Sequence, residues 1–171
     1  AVDNVTVRAP FTKIADKPNT IIDVISDPQD DPEDYKLAIS RLNAMPEKAG
    51  ALVINGDLVD NGSQEQWDRF LAARKEVPHD SGVELWTIGN HEMYGKETSE
   101  VHMQRFLKYS GQDKPWNEVV VNGTPLISVN TEYYSDIDRG GKEPFQRISA
   151  EQLQWLDERL AHWDAQGVTA L

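Results

Sequence analysis

The sequence contains no cysteine, which excludes disulfides, thiolate metal sites and a cysteine nucleophile. Basic residues are scarce: 17 Lys and Arg stand against 29 Asp and Glu, a net charge of −12. That much negative charge repels nucleic-acid backbones and anionic membranes, so neither is an expected partner. No apolar run approaches the ~20 residues that a membrane span needs. The chain starts at Ala1 without an initiator methionine. The expectation drawn from this is a processed, secreted or extracytoplasmic protein, with a cytoplasmic one as the alternative. What is present, 171 residues, fits one domain able to bury most of its apolar surface.

Residues 1–19 read as a lead-in, where Val5 and Val7 alternate with polar residues as in a short edge strand. Thr20 to Ser26 is nearly all β-branched and apolar, the composition of a strand buried on both faces. Asp31 followed by Pro32 marks a helix N-cap and first turn. The acidic residues 30, 31, 33 and 34 favour such a helix N-terminus. Tyr35, Ala38, Ile39, Leu42 and Met45 then form a helical stripe that ends near Gly50. Ala51 to Ile54 is a second buried strand, breaking at Asn55-Gly56-Asp57. Ser63 opens a second helix, with Gln66 placed to complete a capping box and Trp67, Phe70 and Leu71 facing inward. A third strand over Leu85 to Ile88 closes at Gly89.

Strands alternating with helices predict a parallel sheet. Right-handed crossovers then bring all three strand C-termini, and with them Asp27, Asp57 and Asn90, to one edge. In open α/β sheets that edge is where ligands bind. Further on, Thr98 to Tyr109 reads as a helix with Val101, Phe106 and Leu107 apolar. Residues 119–122 and 126–129 form a hairpin through Asn122-Gly123. Residues 131–147 make a long polar loop, in which Tyr133 and Tyr134 serve either beside a substrate or as plain surface. Ser149 to Trp163 is a helix with a Ser149–Gln152 capping box, an Ile148–Leu153 staple and a core-facing stripe of Leu153, Leu156, Leu160 and Trp163. Val168 to Leu171 reads as the start of another strand.

The stretch that organises the chain is Gly89-Asn90-His91-Glu92, directly after the third strand. Glycine permits a sharp turn where a Cβ would clash. Asn90 offers an amide oxygen, and His91 a group that exchanges protons near neutral pH. From residue frequencies such a tetrapeptide arises by chance in on the order of one chain in a thousand of this length. Together with Asp27-Pro28-Gln29 and Gly56-Asp57, it resembles the signature of the calcineurin-like metallophosphoesterases, in order, spacing and strand-end placement. That signature runs Asp-x-His, Gly-Asp, Gly-Asn-His-Asp/Glu, His, then Gly-His-x-His.

The resemblance implies the N-terminal part of an α/β domain, the metallophosphoesterase four-layer α/β/β/α sandwich with a parallel or mixed sheet and flanking helices. The domain is expected over residues 20–171, cut short at its C-terminal end. It implies two divalent cations (Mn, Fe or Zn) roughly 3.5 to 4 Å apart, clamping a phosphoryl group while a bridging hydroxide attacks. Asp27 and Gln29 would hold the first metal, Asp57 would bridge both, and Asn90 would hold the second. His91 would instead stabilise charge or protonate the leaving oxygen. Gln29 departs from the usual His, and its neutral amide oxygen favours a harder ion such as Mn2+. The downstream histidines of the signature are absent. His79, His102 and His162 lie outside any matching context, so surface or packing roles are expected for them. The expected substrate is a phosphate mono- or diester, with a non-catalytic binding scaffold or an inactive fragment as alternatives. Loss of the second sheet predicts an exposed apolar sheet face and an oligomer formed through it.

Overall fold

The computed structural model describes residues 20–132 and 148–171; the expected edge strand at Val5 and Val7, and the pair Tyr133 and Tyr134, lie outside them. Strand β1 (Ile22–Ile25) leads through helix α1 (Pro32–Asn43) to β2 (Ala51–Asn55). Helix α2 (Gln64–Glu76) leads on to β3 (Glu84–Thr87). The three strands form one parallel sheet in the order β1-β2-β3, with Ile25 beside Ile54 and Ile54 beside Trp86. All three C-terminal ends therefore lie along one edge, as the alternating pattern requires.

Strands β2 and β3 are buried on both faces, whereas β1, expected to be so as well, lies at the sheet's edge with no fully buried residue; the two faces have different partners. One face, with Leu52, Ile54 and Trp86, packs against Tyr35 and Ile39 of α1 and Trp67 and Phe70 of α2. Trp67 is fully buried there, a burial that contributes about 2–3 kcal/mol. Its ring stacks at 6.3 Å on Trp86, and Phe70 meets Tyr35 edge-on at 5.2 Å. Such pairs favour one packing arrangement beyond simple burial.

The other face, with Ala51 and Leu85, is covered by Val121 and Leu126 of a hairpin. That hairpin is β4 (Asn117–Val121) and β5 (Thr124–Ser128), paired antiparallel. Its turn is Asn122-Gly123 with φ of 50° and 81°, the two positive values of the type I′ turn that matches strand twist. The hairpin leaves Val24 at the end of the face 62% exposed, so the expected bare face is reduced to its margin.

Helix α3 (Ser99–Ser110) follows a short 3-10 turn, His91–Met93, and buries Phe106 and His102; Val101 points outward. Helix α4 (Ala150–Asp164) follows β5 in the described chain. Leu171 then accepts from the Ile127 N–H (2.7 Å) and donates to the Pro125 carbonyl (2.9 Å). That is the bond pattern of a parallel neighbour beside Leu126, where the sequence pattern places a further strand.

Several helix details differ from expectation. Asp31 does cap α1, its Oδ1 accepting from the Asp34 N–H at 3.0 Å, but the helix ends at Asn43 and leaves Met45 exposed. Ser63 caps α2 without a side-chain bond. Gln66 turns instead to the loop, where its Oε1 accepts from the Asn61 N–H at 2.6 Å. The Ser63 N–H that a capping box would use is taken by Asn61 Oδ1 at 3.1 Å, which leaves Gln66 free for the loop. In α4 Ser149 caps as expected, but Leu153 and Leu160 are exposed. The inward side is set by polar anchors. Gln152 binds the Asn130 backbone through both amide atoms, while Arg159 and the Trp163 indole converge on Glu118.

Candidate functional site

Backbone hydrogen bonds draw the three strand ends together before any side chain acts. The Asp27 N–H donates to the Gly56 carbonyl (3.2 Å), and the Gln29 N–H to the Asp57 carbonyl (3.0 Å). The His91 N–H reaches the Asp57 carboxylate itself, Oδ1 at 3.0 Å. The three motif blocks thus form one connected edge, with Asp27, Gln29, Asp57, Asn90 and His91 all on it.

Gly89 is required by a close approach. A Cβ there would lie 2.1 Å from Asp57 Oδ1, so only glycine lets this carboxylate sit against the third loop. Asp27, Gln29 and Asp57 have φ of 53°, 43° and 51°. Left-handed backbone costs a side-chain-bearing residue on the order of 1–2 kcal/mol. Three such residues at adjoining strand ends are the kind of stored strain that gathers at functional sites.

Beneath the loops lies Glu92, which is fully buried. Its Oε2 accepts from the N–H groups of Gly89 (2.6 Å) and Asp57 (3.1 Å), and its Oε1 from that of Val59 (3.1 Å). One carboxylate therefore ties the second motif loop to the third. Burial pushes its carboxyl up to about 7, against the pull of the backbone N–H donors of Gly89, Val59 and Leu58.

His91 is fixed by its own partner. Its Nδ1 lies 2.7 Å from the Asp60 carbonyl, with an Asp60 carboxylate oxygen at 3.6 Å. A carbonyl only accepts, so Nδ1 carries the hydrogen and Nε2 is the atom left to take or give a proton. The Asn90 amide donates through Nδ2 to the Tyr94 hydroxyl at 2.6 Å, leaving Oδ1 for another partner. Beside Asp27 and Gln29 opens a cavity of about 610 Å³, lined also by Asp31, Asp34, Tyr35 and Asp60.

Asp27, Asp57, Gln29 and Asn90 offer two carboxylates and two amide oxygens. This is an all-oxygen donor set, and it fits a hard divalent cation. Among the described residues no three of His, Cys, Asp or Glu gather to hold a metal ion, so a cation held there would draw on the amide oxygens as well.

The remaining histidines stand elsewhere, as the sequence suggests. His79 is buried between Asp23 (2.9 Å) and Ser81 (2.8 Å), before β3, and His102 is fully buried on α3. Sequence reasoning missed two groups, Glu92 and Asp60. The signal for Glu92 was a carboxylate inside the very tetrapeptide that carried the argument. Asp60 stood three residues after Asp57 in the same loop.

Comparison with known proteins agrees with this geometry. The family model described as calcineurin-like phosphoesterase matches residues 21–167. No curated protein matches the chain.

Proposed function

We propose, from the premise that this chain belongs to the calcineurin-like phosphoesterase family, that its strand-end site hydrolyses phosphate mono- or diesters with the help of two divalent cations. The carrying observation is the joined edge: Asp57 accepts from the His91 N–H, while Glu92 holds the Asp57 and Gly89 loops together. Asp27 and Gln29 would serve the first cation, Asp57 both, and Asn90 the second, with Mn2+ favoured by the oxygen-only donors. Cations bound there would neutralise phosphoryl charge and lower the pKa of a water toward about 7.

The chain's own residues supply the rest. Asp57 is held on its backbone by Glu92 and on its carboxylate by the His91 N–H, so it needs no reorganisation when substrate arrives. His91, with Nδ1 turned to Asp60, presents Nε2 to the leaving oxygen as a proton donor, a role worth roughly a hundred- to ten-thousandfold.

The test is Mn2+-dependent hydrolysis of p-nitrophenyl phosphate and its bis-ester, with bound metal measured alongside. Asp57→Asn should abolish turnover and lower bound Mn2+. His91→Ala should cut turnover by about a hundredfold or more with metal content near wild type. Metal loss in His91→Ala would overturn this division of roles. Metal binding by the wild type without hydrolysis of either ester would favour the scaffold reading.

A further inference from the structure

Tyr94 closes the turn that begins at His91, and its backbone is held twice. Its N–H donates to the His91 carbonyl (3.1 Å), and its carbonyl accepts from the Gly62 N–H (2.9 Å). The ring is 43% exposed, so burial alone does not account for where it lies. It touches both residues that precede Glu92. The hydroxyl accepts from Asn90 Nδ2 at 2.6 Å, and the ring centroid stands 4.9 Å from the His91 imidazole.

An asparagine amide has two ends of opposite polarity, and only its oxygen binds a cation. The terminal torsion of Asn is broad and roughly two-fold, so an unrestrained amide offers either end. A hydroxyl that accepts from Nδ2 removes that freedom. We propose that Tyr94 is a positioning residue whose hydroxyl holds the Asn90 amide with Oδ1 presented to a hard divalent cation. The inference rests on the metal reading of Asn90 given above. Neither Asp57, held by the His91 N–H, nor Gln29 has such a hydroxyl among its described hydrogen bonds, so the device is particular to the second cation's side.

Tyr94→Phe isolates the hydroxyl, because the ring contact with His91 stays. Two measurements on the whole chain decide the matter. In the metal-free protein, hydrogen exchange at the Asn90 side-chain amide should speed up in Tyr94→Phe. With Mn2+ as the probe, followed by electron paramagnetic resonance, the weaker-bound ion should dissociate about three- to tenfold more readily, the equilibrium worth of one neutral hydrogen bond. Circular dichroism should stay unchanged, as expected for an exposed ring. Unchanged amide exchange, or faster exchange with unchanged Mn2+ affinity, overturns the inference while leaving the metal reading intact. A wild-type chain that binds no Mn2+ overturns the metal reading first, and this inference with it.

Discussion

Among the described residues, side-chain-bearing residues take left-handed backbone in two regions, and only one of them is easy to satisfy. In the hairpin, Asn122 and Gly123 have positive φ because a two-residue turn between twisted strands demands it. Both are residue types that accept that conformation at little cost. At the sheet edge, Asp27 and Asp57 adopt the same conformation and ease it as Asn does, but Gln29 adopts it too, where glycine would be cheaper. The hairpin shows chain chemistry chosen to suit the backbone. At Gln29 the sheet edge shows backbone held against its preference.

The same division separates two carboxylates. Glu92 is fully buried and satisfied by backbone N–H groups of the motif loops. Glu118 is satisfied by side chains, Nε and Nη2 of Arg159 and the indole of Trp163. A bond to loop backbone fixes loop shape, whereas a bond between side chains docks a helix. The largest predicted effect follows. Glu92→Gln leaves one acceptor oxygen where two are used and turns an NH2 toward N–H donors. It should cost about 2–3 kcal/mol by urea unfolding and loosen Mn2+ binding at the same time. A loss under about 1 kcal/mol would mean the loops hold themselves.

Much of this was legible in the sequence, for physical reasons that differ by element. Strands β2 and β3 declared themselves because burial on both faces makes apolar runs unbroken, while β1 shows an equally apolar run with Val24 left exposed at the sheet's edge. The meeting of the three motif blocks at one edge was legible because they end those strands, and parallel topology brings strand ends together. Helix α4 was placed correctly but only part of its expected inward stripe faces inward. Of the expected stripe Leu153, Leu156, Leu160 and Trp163, Trp163 does turn inward to Glu118, but Leu153 and Leu160 are exposed, and Gln152 and Arg159 anchor the helix beside Trp163. A periodicity argument weighs apolar faces and has no term for a distant polar partner such as Asn130 or Glu118. Gln66 misled in the same way, because its partner was the Asn61 N–H in a loop rather than its own helix end.

A smaller effect should appear at Glu118. Burial alone would raise its carboxyl, but Arg159 and Trp163 outweigh that and hold it below the ordinary value of 4.5. The folded value is therefore below the unfolded one. The stabilisation is present above 4.5 and is lost as pH falls through the lower folded value. Glu118→Gln should cost about 1 kcal/mol at neutral pH. In urea titrations at descending pH, the gap between wild type and variant should close below 4.5. A gap that persists in acid would assign the docking of α4 to packing rather than to this charge.

The smallest expected change in stability is the one that bears most directly on the contrast between hairpin and sheet edge. Gln29 has φ of 43°, and unlike Asp or Asn its longer side chain gains no local hydrogen bond that eases left-handed backbone. If the conformation is held against preference, Gln29→Gly should raise stability by about 0.5–1 kcal/mol, part of the relief being offset by the greater freedom of glycine in the unfolded chain. Mn2+ affinity should fall in the same variant, since the amide oxygen is gone. Gln29→Ala separates the two effects, because it removes the amide yet keeps a Cβ in the strained position. It should lose Mn2+ affinity like the glycine variant without the gain in stability. Asn122→Gly in the hairpin is the reference, and should change stability by less than about 0.5 kcal/mol and Mn2+ affinity not at all. Equal responses of Gln29→Gly and Asn122→Gly would mean that the sheet edge stores no more strain than an ordinary turn, and that its left-handed residues need no functional reason.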